Sequence, residues 1–203
     1  MLQTKRQTVT AEIADILREQ ILSGSLSPGT RLRQDHLARE FSVSNIPVRE
    51  AIGKLTAEGL VTVNPHKGAV VRIFSDEEFE ERRRLRVLLE SELLERAIPN
   101  ISRERLRLLR KLTQEMDSPT NIDHWARLNW EFHSSIYECA NLPQTLAFAQ
   151  QNHSITNRHL RPGVPAVPRA SNAEHKELLK LIERRDTAAA VALLKGHITY
   201  LPR

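Results

Sequence analysis

The chain has 203 residues and is slightly basic, with 30 Lys and Arg against 25 Asp and Glu and a formal net charge of +5. Hydrophobic residues make up 40% of it, which is enough for one or two packed cores, but no apolar run reaches the roughly 18 residues that span a bilayer. We therefore exclude a transmembrane protein, and the single cysteine, Cys139, excludes an internal disulfide. Because the N-terminus has no apolar stretch of the kind found in signal peptides, we expect a cytoplasmic protein.

Two helices are predicted first, joined by a turn. Thr10 can cap the first helix, and Ser23-Gly24 ends it. Pro and Gly in residues 27–30 then favour a reverse turn. Each helix is predicted to bury one apolar stripe: Ile13, Leu17 and Ile21 in the first, and Leu37, Ala38 and Phe41 in the second.

A third helix is predicted to begin at Ser44, whose hydroxyl can cap it, and to end at Gly59. Pro47 falls in the first turn, where a missing backbone N–H is tolerated. One face is apolar and the opposite face is free to contact another molecule. The apolar face carries Val48, Ala51, Ile52 and Leu55, and the free face carries Ile46, Arg49, Glu50 and Gly53, with Asn45 at its margin.

Two β-branched runs, residues 60–63 and 69–73, flank a five-residue loop that contains Pro65 and Gly68. This pattern predicts a hairpin with Lys67 at its tip. Two helices joined by a tight turn and followed by a hairpin are the elements of a winged helix-turn-helix, which binds DNA. We assign this domain to residues 1–74.

Only helices are predicted after residue 74, so we assign residues 75–203 to an all-α antiparallel bundle of about six helices. Residues 75–78 and 171–174 are expected to be capping boxes, Asp186 can cap the last helix, and the prolines of 161–168 predict a loop. The expected fold is therefore mainly α. The predicted core positions are Leu85, Leu88, Leu89, Leu93, Leu106, Leu109, Leu112, Met116, Leu128, Phe132, Ile136, Ala140, Leu178, Leu179 and Ile182.

Residues 9–73 resemble the winged helix-turn-helix domain of the GntR family of transcription regulators. The resemblance rests on Pro28-Gly29, on Leu37-Ala38, on residues 47–52 with the sequence PVREAI, on residues 58–61 with the sequence EGLV, and on Gly68 in the wing. Agreement at this many spaced positions is specific to the family. The resemblance implies that the third helix is the recognition helix.

The second domain resembles the all-helical FCD effector domain of the FadR branch of that family. The shared residues are Arg86, Leu89 and Glu90, then Phe132-His133 with Ile136, and later Glu174-His175 and His197. The resemblance implies a homodimer that binds a short palindromic operator in double-stranded DNA. It also implies that a small carboxylate effector in the helical domain changes the affinity for DNA, and we expect a repressor.

Candidate DNA contacts lie on the recognition helix, beside it and in the wing. Arg49 can reach a guanine edge or a phosphate, and the alternative is a solvated helix charge. The Ser44 hydroxyl and nearby backbone N–H groups are placed to bind phosphates. The full set of candidates is Arg33, Ser44, Asn45, Ile46, Arg49, His66, Lys67 and Gly68.

Two stretches of the chain depart from the family pattern. The recognition helix usually opens with Ser-Arg-Thr-Pro, and here it opens with Ser44-Asn45-Ile46-Pro47. The pair before Leu37 is commonly Arg-Glu, and here it is Asp35-His36. Asn45 favours adenine if it contacts a base, and Ile46 can make only apolar contacts, for instance to a thymine methyl. We therefore expect an operator that differs from the usual one of the family.

Three histidines, His133, His175 and His197, are predicted on apolar helix faces, with Asn129 one turn before His133. A single buried histidine is more often a hydrogen-bonded core residue, but facing helices of a bundle also build metal sites. The FCD resemblance implies a metal held at these four positions, with Asp where this chain has Asn129. An amide oxygen is a weaker ligand than a carboxylate. We expect zinc or nickel, with an empty polar pocket as the alternative.

Arg86 is a candidate for binding the effector carboxylate through its fork, and a surface ion pair is the alternative. Glu174 is interpreted as a capping residue, and the other histidines, including His153, as ordinary polar residues. A metal-dependent hydrolase would need a general acid or base, for which Glu174 is the only nearby candidate. A metal-responsive regulator without an organic effector is a further alternative, and an architectural DNA-binding protein would leave the inward histidines unexplained. We expect a regulator, not an enzyme.

Overall fold

A computed structural model of the chain describes residues 8–65, 68–159 and 167–199. The described chain is mainly helical and divides into two compact units after Ser75. The N-terminal unit is a winged helix-turn-helix and the C-terminal unit is all-α, so the expected fold class is confirmed. Among the described residues, none of the helices has both the length and the apolar character needed to cross a membrane.

The N-terminal unit combines helices with a small antiparallel sheet of β1 (Arg31–Leu32), β2 (Val61–Asn64) and β3 (Gly68–Val71), whose strand order is β1-β3-β2. In the register of this sheet, Val61 pairs with Val71 and Leu32 pairs with Ala69. The two-residue strand β1 was not predicted, because it is too short to show an alternating pattern. The elements are α1 (Val9–Ser23), β1 (Arg31–Leu32), α2 (Gln34–Glu40), α3 (Asn45–Ala57), β2 (Val61–Asn64) and β3 (Gly68–Val71).

The core of this unit forms where α1 packs on α3. Gly24 and Gly29 have φ near +83°, which places them in the left-handed region at the end of α1 and in the following turn. Both are positions that only glycine occupies without strain. The predicted stripes of α1 and α3 are buried, together with Leu37 and Ala38 of α2: Ile13, Leu17, Ile21, Val48, Ala51, Ile52 and Leu55.

Two expected helix caps differ from the structure. Thr8 caps α1 in place of Thr10, because its side chain accepts a hydrogen bond from the backbone nitrogen of Ala11 at 3.3 Å. The Thr10 hydroxyl instead donates to Glu50 of α3 at 2.9 Å. Ser44 has the extended backbone of an N-cap, but its hydroxyl makes no capping hydrogen bond in the described chain. The Ser44 hydroxyl is thus not engaged by its own helix.

The C-terminal unit is a helical bundle. Its six α-helices in the described residues agree with the number that was expected. Single turns of 3₁₀ helix follow two of them, at Ile98–Asn100 and Glu138–Ala140. The helices are α4 (Asp76–Ala97), α5 (Arg103–Glu115), α6 (Ile122–Tyr137), α7 (Pro143–His159), α8 (Val167–Glu183) and α9 (Thr187–Thr199).

The start of α8 corrects one prediction. The helix begins at Val167, four residues before Ser171, so the expected capping box at 171–174 lies inside the helix and is wrong. Pro168 falls in the first turn, where its missing N–H breaks no hydrogen bond. Val167 and Pro168, the last two residues of the expected proline-rich loop, are therefore helical. The other residues of that loop, 161–166, lie outside the described residues.

Helix α4 presents a different face to the core than expected. Leu93 is buried and Leu89 packs partly against the core, but Leu85 and Leu88 are exposed. The face that points inward at this level carries Arg86 and Glu90, whose charges offset each other in a buried ion pair. Apolar periodicity cannot detect a core-facing stripe that is made of charged residues. The buried residues of the bundle include Leu93, Leu94, Leu109, Leu112, Phe132, Ile136, Tyr137, Leu178, Leu179 and Leu194.

Candidate functional site

Three histidines from three helices meet inside the C-terminal unit. His133 on α6 and His175 on α8 are each 1% exposed, and His197 on α9 is partly buried. One ring nitrogen of each lies within 4.8 Å of those of the other two. The two Nε2 atoms of His133 and His175 are 3.1 Å apart. We call these three residues the histidine cluster.

Hydrogen bonds to the outer ring nitrogens orient two members of the cluster. Tyr137 donates its hydroxyl proton to Glu90 at 2.8 Å, and its oxygen is 3.3 Å from Nδ1 of His133. The hydroxyl proton is used by Glu90, so Nδ1 of His133 is the donor to Tyr137. Nδ1 of His197 lies 2.6 Å from a carboxylate oxygen of Glu174 and donates to it. In the neutral form of each ring, the proton is then on Nδ1 and the lone pair on Nε2, as in metal-binding histidines.

The spacing and chemistry of the polar atoms in the cluster fit a divalent ion. Two nitrogens that each lie about 2.1 Å from one ion are about 3.0 to 3.4 Å apart, which matches the observed Nε2 pair. In the described part of the chain, Oδ1 of Asn129, one turn before His133 on α6, is buried without a hydrogen-bond partner. Unpartnered buried polar atoms are costly unless a ligand engages them. Imidazole nitrogen is a preferred donor to zinc and nickel.

The buried histidines are neutral at physiological pH. Burial lowers the pKa of His133 and of His175 well below the usual range, and positive charge on neighbouring histidines lowers both further. Burial, followed by the adjacent Arg86 guanidinium, lowers the pKa of His153 in the same way. Neutral imidazole is the form that binds a metal, so His133 and His175 can bind without losing a proton.

A fourth buried histidine, His153 on α7, was not predicted as part of the site. It is 3% exposed, and its Nδ1 lies 3.0 Å from a guanidinium nitrogen of Arg86. Since guanidinium only donates, Nδ1 accepts and the ring proton is on Nε2. That nitrogen faces the Asn129 amide at 3.4 Å and has no lone pair for an ion. Its sequence neighbours Asn152 and Thr156 are also polar, so no apolar stripe marked this face.

Asn129 lies one turn before His133 on α6 and is 4% exposed. Its amide nitrogen faces Nε2 of His153, but both of these nitrogens are hydrogen-bond donors. A rotation of the amide by 180° exchanges its oxygen and its nitrogen, and only the hydrogen-bond partners distinguish the two orientations. The oxygen is thus available either to an ion or to the Nε2 proton of His153.

Arg86 is buried, so the expected alternative of a surface ion pair is wrong. Its Nε donates to Glu90 at 2.7 Å, and one terminal nitrogen donates to Thr156 at 2.8 Å. The other terminal nitrogen donates to His153. The guanidinium is therefore already engaged on three sides. Glu174, which was expected to be a capping residue, is instead the partner of His197.

The candidate DNA contacts lie on the exposed surface of the N-terminal unit. Arg33, Ser44, Asn45 and Arg49 are exposed, and Ile46 is 58% exposed. Asn45 also donates to Asp35, a contact that the sequence did not reveal.

The wing is described in part. Gly68 begins β3 with φ of +72° and pairs with Asn64. Two expected contacts, His66 and Lys67, lie outside the described residues. The described backbone confirms that a hairpin follows the recognition helix.

The two units match two known protein families. Residues 9–71 match the gntR family of bacterial regulatory proteins, and residues 81–200 match the FCD domain. A curated relative, the HTH-type transcriptional repressor GlaR of Escherichia coli (strain K12), is 28% identical over 195 residues, which cover 90% of this chain and 89% of that protein.

Solved structures of transcription regulators are also similar to this chain. A GntR family transcriptional regulator from Pseudomonas syringae pv. tomato str. DC3000 is 34% identical, with a TM-score of 0.56 over 93% of this chain and 81% of that one. E. coli McbR/YncC is 24% identical, with a TM-score of 0.79 over 95% and 94% of the two chains, and supports the fold alone. These families and relatives are transcription regulators, not enzymes. The chain belongs to the GntR family of transcription regulators and carries the FCD domain of its FadR-like branch.

Proposed function

We propose that this chain is a repressor whose affinity for operator DNA is controlled by a small carboxylate metabolite bound at a metal ion in the FCD domain. The observation that carries the proposal is the histidine cluster, in which two rings are oriented by hydrogen bonds, with the unpartnered Oδ1 of Asn129 one turn before His133. GlaR, similar along most of this chain, is named a repressor, which supports the same direction of control. The proposed role places the protein in the cytoplasm with the DNA that it regulates.

The residues that would hold the ion are His133, His175 and His197, with Asn129 as a weak fourth ligand. Zinc or nickel suits three imidazoles. A bound ion would supply Lewis acidity toward an oxygen of the effector. Glu174 fixes the ring of His197, and Glu90 fixes that of His133 through Tyr137.

Arg86 would bind the effector carboxylate only after it releases one of its present partners. Because its nitrogens are bound to Glu90, Thr156 and His153, an incoming carboxylate would have to displace one of these partners to use the fork. Burial, followed by the guanidinium charge, lowers the pKa of His153 and keeps this ring neutral.

On the DNA, we propose that Arg49, Asn45 and Ile46 contact base edges and that Ser44 and Arg33 contact phosphates. The wing, with His66, Lys67 and Gly68, would contact the backbone or the minor groove. A homodimer would place two recognition helices against half-sites about 34 Å apart.

Control of DNA binding would begin at the ion. Its three histidine ligands come from α6, α8 and α9, so binding would tie three helices to one point. A change in these helices would alter the spacing of the two DNA-binding units in the dimer. Effector and DNA would then affect each other's affinity to the same extent.

The first experiment is the metal content of full-length protein purified without chelator or His tag, measured by mass spectrometry. We expect about one divalent ion per chain in the wild type and none in His175→Ala. The exposed His36 provides the matched control, and His36→Ala should keep the ion. Wild-type protein that holds no metal even after incubation with zinc or nickel would contradict the proposal.

A second variant tests whether the hydrogen-bond partner of His197 contributes to metal binding. Glu174→Ala removes the partner of His197 and should weaken zinc binding by about 10- to 100-fold, as measured by competition with a coloured chelator. Glu177→Ala, on the same helix but paired with Lys180, should leave zinc affinity unchanged. Equal affinity in both variants would contradict the assigned role of Glu174.

Metal-responsive control without an organic effector is the second candidate, favoured by a cluster that supplies three imidazoles to one ion. Binding to a selected operator separates the two. If zinc alone changes the affinity for the operator as much as zinc with a panel of small carboxylates, the effector is the metal. A further change with one carboxylate supports the metabolite.

A further inference from the structure

A hydrogen bond joins two residues that both depart from the family pattern. Nδ2 of Asn45, the first residue of α3, donates to Oδ1 of Asp35 on α2 at 3.1 Å. Both side chains are exposed and line an open groove of about 650 Å³ at the turn between the two helices. The family pattern described above has arginine at each position, whereas this chain has a hydrogen-bonded Asp and Asn. We call it the Asp35–Asn45 pair.

The contact fixes the orientation of the Asn45 amide. A carboxylate only accepts hydrogen bonds, so the amide nitrogen must face Asp35 and the amide oxygen must face away. The bond uses one of the two amide N–H groups. The remaining N–H and the oxygen are the donor and acceptor that bind N7 and the N6 amino group of adenine in the major groove.

Asp35 also changes the electrostatics of the surface. Its carboxylate lies beside the start of the recognition helix, where phosphates repel it. The exposed Arg39 donates to the backbone carbonyl of Asp35, not to its carboxylate, at 3.2 Å. Repulsion of phosphates acts on every DNA sequence, whereas the oriented amide favours adenine. The two effects together increase the ratio of specific to non-specific binding.

We propose that Asp35 is a positioning residue for DNA recognition: it holds the Asn45 amide for adenine in each half-site and weakens binding to DNA that lacks this base. The inference rests on the proposed contact of Asn45 with a base. It goes beyond that contact by assigning operator specificity to a residue outside the recognition helix.

The test is enrichment of bound sequences from a pool of DNA duplexes with a randomised centre, using full-length protein. The wild type should require adenine at one position of each half-site. Asp35→Ala and Asn45→Ala should both reduce that preference by about tenfold or more at the same position. The double variant should lose no more than either one, because the two residues act as a unit.

A conservative variant separates orientation from charge. In Asp35→Asn an amide oxygen can still accept the N–H of Asn45, so the adenine preference should remain. The charge is lost, so both Asp35→Asn and Asp35→Ala should bind a duplex of unrelated sequence several-fold more tightly at low salt. His36→Ala, a change at the neighbouring exposed position, should alter neither quantity.

Each outcome decides the proposal. Loss of the preference in Asp35→Ala and its retention in Asp35→Asn would support it. An Asp35→Ala protein that selects the same bases as the wild type would overturn the role of Asp35 alone. An Asn45→Ala protein that keeps the adenine preference would overturn the contact with the base as well, and so would a wild type that enriches no sequence.

Discussion

Two buried charged side chains of the C-terminal unit, Arg86 and Glu90, form an ion pair. Arg86 and Glu90 are four residues apart on α4, and the Glu90 side chain is fully buried. Glu90 also accepts from Tyr137, and burial, followed by the Glu90 charge, raises the pKa of that phenol. Tyr137 therefore stays protonated and can serve as the link between Glu90 and His133.

Glu90→Gln should be strongly destabilising, because it leaves the buried guanidinium of Arg86 without its counter-charge. We expect the free energy of unfolding to fall by about 3 to 5 kcal/mol. Urea unfolding followed by circular dichroism measures it. The same helix offers a control: Arg96 and Glu92 have the same spacing but are exposed, so Glu92→Gln should have little effect on the free energy of unfolding. Equal losses in both variants would contradict the prediction.

The buried histidines should make stability depend on pH. Burial lowers the pKa of His133, His153 and His175, so they stay neutral in the fold, whereas unfolded histidines take up protons below about pH 6.5. The unfolded state then binds more protons, so the stabilisation is complete above about pH 6.5 and declines as the pH falls. For three groups the loss is up to about 4 kcal/mol per pH unit.

Urea unfolding in the presence of a chelator, between pH 7.5 and 5.5, measures this dependence. His153→Gln should reduce the slope below pH 6.5 by about a third, since one of three groups is removed. His36→Gln removes an exposed histidine and should leave the slope unchanged. A free energy of unfolding that does not change over this interval would show that the buried rings become protonated inside the fold.

At the scale of elements, helices were predictable where apolar spacing reported the buried face. The stripe of α3, with Val48 and Ile52, and that of α6, with Phe132 and Ile136, lie in the core as predicted. The spacing also placed His133 inside, because its neighbours on α6 are apolar. Residues that are buried for polar reasons gave no such pattern, which is why His153 and the inward face of α4 were missed.

Helix ends were less predictable than helix interiors. Thr8 and Thr10 are both capping residues by type, and only the packing of α1 on α3 selects between them, since Thr10 bonds to Glu50. At α8, Ser171 and Glu174 have the spacing of a capping box. The helix nevertheless continues to Val167, and Glu174 serves His197. In both cases, the expected capping residue makes a tertiary contact in place of the cap that its local sequence predicts.

The cap of α1 can be tested directly. Thr8→Ala removes the side-chain acceptor for the backbone nitrogen of Ala11 and should lower the free energy of unfolding by about 1 kcal/mol. Thr10→Ala removes only an exposed hydrogen bond to Glu50 and should cost less. Thermal unfolding of both variants measures the order. The reverse order would mean that Thr10 contributes more to this helix end.

At the scale of the whole molecule, exposed apolar side chains on α4 support the proposed dimer. Leu85 is 41% exposed and Leu88 is 67% exposed, one turn apart. We expect the wild type to sediment as a dimer. Leu88→Glu should shift it toward monomer, because a buried interface does not tolerate an unpaired charge.

Ile73 is the matched control, since it is also 67% exposed but lies in the N-terminal unit. Ile73→Glu should leave the dimer intact in sedimentation velocity experiments at the same protein concentration. Dissociation by both substitutions, or by neither, would show that this part of α4 is not a specific interface.

The charges around the histidine cluster have a consequence for the choice of ligand. Arg86 and Glu90 cancel, and the buried histidines are neutral, so an incoming divalent cation would bring two charges of which Glu174 balances only one. One positive charge remains, and a single carboxylate neutralises it. An amide or ester of the same shape would leave that charge unbalanced in a medium of low dielectric constant. The site would therefore discriminate between an acid and its neutral derivatives by electroneutrality, without any need for a difference in shape.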